Sequence, residues 1–262
     1  MLFDQYFLYF VVYALIGYIS EVLYCSVPMR RLVNRGFLHG PYLPIYGFGA
    51  LLILIPLQFF DTHPVLVFFI AFFLTSALEY VTSFLLEKIF QTKLWDYSDK
   101  FANIHGRVCL LNSTLFGLMG LITLYWVHPH VVRFISDIPD HILHPLSSVL
   151  LLGITADATS SIFRMASFKR QLVEFRLKVK ELEARFELLA KQKSNPSLER
   201  LKERLDAELE ERRVRLNKYS RQILDAFPSI TAKNDEQRLQ LELLKKEFRS
   251  YREKKKQQRK QR

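Results

Sequence analysis

Two unlike patterns divide the chain. Through residues 1–163, apolar residues run on for long stretches with few charges between them. From Arg164 onward they recur every three or four positions among lysines, arginines and glutamates. The first pattern suits helices in hydrocarbon, which need roughly 20 mostly apolar residues to cross. Five segments meet it: 6–27, 41–60, 65–86, 108–127 and 142–163. The second of these holds Pro44 and Pro56. It reaches crossing length only if its helix starts near Pro41, where a first turn tolerates proline.

In the second pattern, Leu172, Phe175, Val179, Leu182, Phe186 and Leu189 step alternately by three and four, as in a coiled-coil seam. The stretch KSNPSLERL interrupts it. A second run carries Leu198, Leu201, Leu205 and Leu209, then Leu216, Tyr219 and Ile223, before Pro228 ends it. Leu241, Leu244, Phe248 and Tyr251 form a third stripe. The expected fold is therefore all-α: a polytopic membrane helix bundle over 1–163, followed by a basic helical or coiled-coil tail over 164–262. The tail helices either fold back on one another or extend to a partner, a second copy included.

Charge sharpens the division. Of the 262 residues, the tail holds 29 Lys+Arg against 16 Asp+Glu, and the rest 8 against 10, so the net charge of +11 belongs to the tail. Basic residues near the segment ends orient the bundle. None precedes the first segment; Arg30, Arg31 and Arg35 follow it, and the next loop, 61–64, has none. Lys88, Lys93, Lys100 and Arg107 flank the third loop, and the fourth carries only Arg133. This alternation puts the amino terminus outside and the tail in the cytoplasm, with five crossings of the cytoplasmic membrane. The first segment lacks a basic n-region and a small-residue cleavage site, so it is expected to be retained. Cys25 and Cys109 fall near the cytoplasmic ends and are expected to be reduced packing residues.

Backbone punctuation then marks two places. VNRGFLHGPYLPIYGFGALL, residues 33–52, leads into the second segment. Gly36 and Gly40 allow turns, Pro41 and Pro44 constrain the chain, and Gly47 and Gly49 let a neighbouring backbone come close. Irregular backbone at a membrane boundary must be buried in protein or line a wet cavity. The stretch is either a tight connection, with Tyr42 and Tyr46 as interfacial anchors, or a gate or substrate mouth. The donor fork of Arg35 suits a carboxylate or phosphate. LWDYSDKFANIHGR, residues 94–107, faces the same side. Trp95 and Tyr97 fit the headgroup level, and Asp96, Ser98 or Asn103 can cap helix ends. Together the two stretches form one expected cytoplasmic surface.

These motifs, with ISEVLYCS and ALEYVTSFLLEKIF, resemble the bacterial family named "putative ABC-transporter permease, type IV". The resemblance runs from Gly17 to Leu121, and nothing in the tail carries it. It implies a multi-pass transport component. It also implies a Trp-Gly pair in the fourth segment, where this chain has Phe116-Gly117.

Polar residues inside apolar segments are the remaining chemistry, since an ionisable group in hydrocarbon normally faces protein or water. Glu21 lies near the cytoplasmic end of the first segment. Thr75, Glu79, Ser83 and Glu87 recur every four residues, one stripe on a helix. Arg107 and Asn112 open the fourth segment, beside a small-residue ridge of Cys109, Ser113 and Gly117. Asp157 lies among Thr155, Thr159, Ser160 and Ser161. Either Arg107 pairs with Glu87 or Glu79 and the rest bond between helices, or Glu21, Glu79 and Arg107 line a polar cavity open to the cytoplasm. His141 and His144, three apart near Asp137 and Asp140, are a loose exterior metal candidate, with solvated histidines as the alternative. No cofactor is implied.

Enzymatic activity is not expected: no G-x-x-x-x-G-K-[ST] loop, nucleophile elbow or Cys-x-x-Cys pair occurs. ATP-driven transport would need an ATPase subunit on another chain. The terminal run YREKKKQQRKQR suits acidic membrane lipids, and nucleic acid is not the expected ligand.

Overall fold

The computed structural model describes residues 2–29, 33–57, 63–190, 223–224, 226–227, 229–232, 238, 241–242 and 245. The chain divides into two units, one of Met1–Ile162 with Asp225–Thr231, the other of Phe163–Leu224 with Ala232–Arg262. The first unit is mostly helical. Helix α1 spans Leu2–Met29, α2 Pro44–Leu57 and α3 Pro64–Phe90. A loop with the short strands β1, Thr92–Lys93, β2, Asn103–Ile104, and β3, Val108–Cys109, leads to α4, Leu110–Ile122. One π-helical turn, Thr123–Val127, joins α4 to α5, His128–Ser136. Helix α6 begins at Asp140 and continues to Ala190.

Four stretches are long and apolar enough to cross a membrane: Leu2–Val27, Pro64–Phe90, Leu110–Ser136 and Asp140–Ser167. Their outward faces carry large apolar side chains, among them Phe73, Trp126, Phe134, Leu152 and Phe163, each more than 60% exposed. Glu79, Ser83, Glu87, Ser113 and Ser161 are buried instead. A soluble bundle would invert that distribution, so hydrocarbon is the solvent that fits the outer face.

Two apolar clusters hold the helices together. Leu8 and Tyr13 of α1 meet Ala50 and Leu54 of α2, Val131 and Ile135 of α5, and Leu143 of α6. Ile53 and Leu57 of α2 meet Val67 and Ala71 of α3. Glycines set the close approaches. A Cβ on Gly47 would sit 2.6 Å from the Phe10 carbonyl oxygen, and one on Gly120 would sit 2.3 Å from the Ala71 methyl.

Several sequence-based expectations change. Helix α2 starts at Pro44 rather than Pro41, because residues 39–42 are tied to Asp157 on α6. Its 14 described residues rise about 21 Å, less than the roughly 30 Å of a hydrocarbon core. Residues 58–60 of the expected segment lie outside the described residues. The fourth segment runs to Ser136 instead of Val127. Its wide turn coincides with Pro129, which lacks an N–H and crowds the carbonyl four residues back. Val108 and Cys109 do not open that helix but pair with Asn103 and Ile104 in an antiparallel ladder. The coiled-coil seam from Leu172 and the later apolar stripes concern side chains outside the described residues, apart from a few isolated positions.

Candidate functional site

Helix α3 supplies the wall of the site. Its four-residue stripe passes from Val67 and Ala71, which pack on α2, to Glu79, Ser83 and Glu87, all buried. Thr75 and Ser76 return their hydroxyls to the carbonyls of Ala71 and Phe72, and Ser76 also bonds Ser113 of α4 at 2.7 Å. The left-handed residue Gln91 then caps α3, its N–H donating to the Glu87 carbonyl. Asn112 is half-buried on α4.

The loop after α3 folds on itself. Asp96 accepts from the Ser98 N–H at 3.1 Å and from its hydroxyl at 2.5 Å. Asn103 donates to the carbonyls of Ser98 and Lys100 and accepts from the Gly106 N–H. The Trp95 indole donates to the Arg107 carbonyl at 3.0 Å. Asp96, Ser98 and Asn103 thus satisfy the loop itself and do not cap helix ends as expected. His105 and Gly106 both have positive φ, at the tip of the β2–β3 hairpin. There a Cβ on Gly106 would meet Asp96 Oδ1 at 2.3 Å.

This internally bonded loop aims Tyr97 inward, where its hydroxyl donates to Glu79 Oε1 at 3.2 Å. From the other stretch, the Tyr46 hydroxyl donates to Glu21 Oε2 at 2.7 Å, and its ring fills the space left by Gly17. Tyr46 is therefore an interior contact rather than an interfacial anchor. Burial, then the charges of Glu79 and Glu21, push the Tyr97 hydroxyl above the usual tyrosine value, so both acids act on the same ring. Phe37 packs on Phe90 with ring centroids 6.0 Å apart, which brings the two loops to one end of the bundle.

Arg35 turns inward as well. Its Nε contacts Cys25 Sγ at 2.9 Å and lies 3.8 Å from Glu21 Oε1, while Nη1 donates to the Ala226 carbonyl. The fork that suits a carboxylate or phosphate thus meets the Glu21 carboxylate and a backbone carbonyl within the chain. Arg107 pairs with Glu87 at 2.6 Å and lies over the rings of Tyr80 and Phe84, which leaves Glu79 without it. Cys25 and Cys109 are both free thiols and buried.

Asp157 performs a role that the sequence did not disclose. It accepts from the N–H groups of His39 and Gly40 at 3.1 and 2.9 Å, from the His39 ring at 2.6 Å and from the Tyr42 hydroxyl at 2.5 Å. Burial first, then the bond to Asp157, raises the Tyr42 hydroxyl above its ordinary value. Only HGPY in the connection, opposite an acid among threonines and serines, hinted at it. At the far end, Asp4 accepts from Ser147 and from the His144 ring. His141 is exposed, and no group of three or more potential metal ligands occurs among the described residues.

The family comparison decides what kind of bundle this is. The model described as "Putative ABC-transporter type IV" matches residues 8–162. The chain belongs to that family. No curated protein and no solved structure matched it. As a member of the type IV family it is a multi-pass membrane protein, with four helices of crossing length and apolarity. Glu21, Arg35, Asp157, both loop motifs and the α3 stripe lie inside the match, whereas the basic tail lies beyond it. The match also includes Phe116, whose ring meets Tyr46 edge-on at 6.0 Å, and Gly117, which accommodates Phe68.

Proposed function

We propose that the chain is the membrane-embedded permease-like component of a transporter, with ATP hydrolysis on a separate subunit. The observation that carries this reading is the polar cluster of Glu21, Tyr46, Glu79 and Tyr97, closed over by two built loops inside an apolar bundle. Acids are costly in hydrocarbon, and a bundle that needed only stability would be served by apolar side chains there. On this reading α2 is a fifth pass, the amino terminus lies outside, and the loop end and tail lie in the cytoplasm.

A second reading is a non-transporting scaffold whose helical tail recruits protein or lipid. The internal pairing of Arg35, Arg107 and Asp157 favours it, because ion-pair networks are also architectural. Crosslinking the full chain in its membrane, followed by purification, separates the two. The transport reading expects an ATPase bound at the loop end whose hydrolysis changes in the presence of the chain. Tail-dependent capture of other partners, with no ATPase and no flux in vesicles, would overturn it.

A further inference from the structure

Among the described residues, the acids of the helical unit that face a basic side chain leave one conspicuous remainder. Glu87 has Arg107, Glu21 has Arg35, Asp157 has His39 and Asp4 has His144. Glu79 has no basic partner, although it is 5% exposed. Tyr97 donates to Oε1, and Oε2 is buried with no hydrogen-bond partner. One turn further along the same face, the hydroxyl of Ser83 is also buried and unpartnered. Thr75 and Ser76 spend their hydroxyls on the carbonyl four residues back, so the free hydroxyl of Ser83 is a departure within its own helix.

A buried carboxylate without a counter-ion is strongly disfavoured, and neutralisation is the usual remedy. A metal ion would need several oxygen, nitrogen or sulfur ligands, and no group of three His, Cys, Asp or Glu residues fits one among the described residues. The proton needs only one oxygen. We propose that Glu79 is a proton-binding site of the bundle, which takes an exchangeable proton on Oε2 beside Ser83. The proton comes from water and returns to it. Glu21, 27% exposed near the loop end of α1 and bonded to Tyr46, is the more open acid of the cluster and the route the proposal gives the proton. The charged and titratable groups around the site are Tyr97 from the loop, Glu21 from α1 and Tyr46 from α2. Cys109 before α4, and the Glu87–Arg107 pair further along α3, complete the set. Arg107 donates to Glu87 through one Nη, its Nε is buried without a hydrogen-bond partner, and it makes no ion pair with Glu79, so it does not replace the proton.

The inference goes beyond the transport reading and does not rest on it, because proton binding is measured without flux. The test is an infrared titration of the full chain in lipid nanodiscs, following the carboxylic-acid C=O band against pH. A band that disappears on alkalinisation should be present in the parent, absent from Glu79→Gln and retained in Glu21→Gln. Tyr97→Phe removes a donor to the charged form, so it should move the midpoint upward by about one pH unit. That variant keeps the ring and tests the site even if Glu79→Gln fails to fold. A band unaffected by Glu79→Gln, or a midpoint unmoved by Tyr97→Phe, would overturn the proposal. So would loss of the band on adding sodium or potassium at fixed pH, which would assign the site to a metal cation.

Discussion

At the scale of single residues, the guanidinium of Arg107 shows how a charge is held in this bundle. It makes a 2.6 Å contact to Glu87 and lies over two aromatic rings. Removing one partner of such a pair costs ~3–5 kcal/mol, because the other charge is left buried and uncompensated. Glu87→Gln and Arg107→Gln should each lower folded yield by that order. The double variant should be less harmful than their sum, whereas Glu79→Gln combined with Arg107→Gln should be close to additive. Thermal unfolding in detergent of the parent and the five variants reads both cycles. Glycines offer a second contrast. A methyl on Gly47 would meet Phe10, its backbone included, whereas one on Gly49 finds only ordinary contacts at 3.7 and 3.9 Å. Gly47→Ala should therefore destabilise by at least the ~1–3 kcal/mol of overpacking. Gly49→Ala should be neutral or stabilising by up to about 1 kcal/mol, since alanine loses less backbone entropy in a helix. Equal losses of assembled protein would refute that distinction.

At the scale of elements, the connection at residues 39–42 is held by the charge on Asp157. Hydrogen bonds to a charged group contribute ~1.5–3 kcal/mol each, so Asp157→Ala should speed amide exchange at His39 and Gly40 by about tenfold or more. Exchange unchanged at those amides would mean that the connection is held by its own turns. The helices themselves were legible from the sequence because length and apolarity are local properties. Segments 65–86 and 142–163 fall within α3 and α6, and the stripe at Thr75, Glu79, Ser83 and Glu87 faces inward as its spacing implies. The start of α2 was not legible, because it depends on an acid more than a hundred positions away. Nor was the wide turn at Thr123–Val127, where one proline lengthens a helix path without ending it. In the candidate site, Glu21 and Glu79 stood out as acids in apolar segments, whereas Tyr46 and Tyr97 read as aromatics at the membrane boundary. Their division into two tyrosine–acid pairs needed the folded loops.

At the scale of the whole molecule, the direction of insertion follows from basic residues that flank the helices, a property of the entire chain rather than of any contact. Lys88, Lys93, Lys100 and Arg107 surround the loop end, whereas Arg133 is alone near Ser136 and His141. Positive charge is retained on the cytoplasmic side during insertion, so the loop end should face inward. Ser98 and Ser136 are suitable reporters, since both are exposed and neither belongs to an ion pair. Single cysteines there, with Cys25 and Cys109 replaced by alanine, should behave oppositely toward an impermeant thiol reagent applied to intact cells. The cysteine at position 136 should be labelled and that at 98 should not, until the cells are opened. The reverse pattern would put Glu21, Tyr97 and the neighbouring polar cluster toward the exterior. An ATPase docking at the loop end would then be impossible, while the proton site at Glu79 would be unaffected, since burial and pairing inside the bundle do not depend on which side it faces.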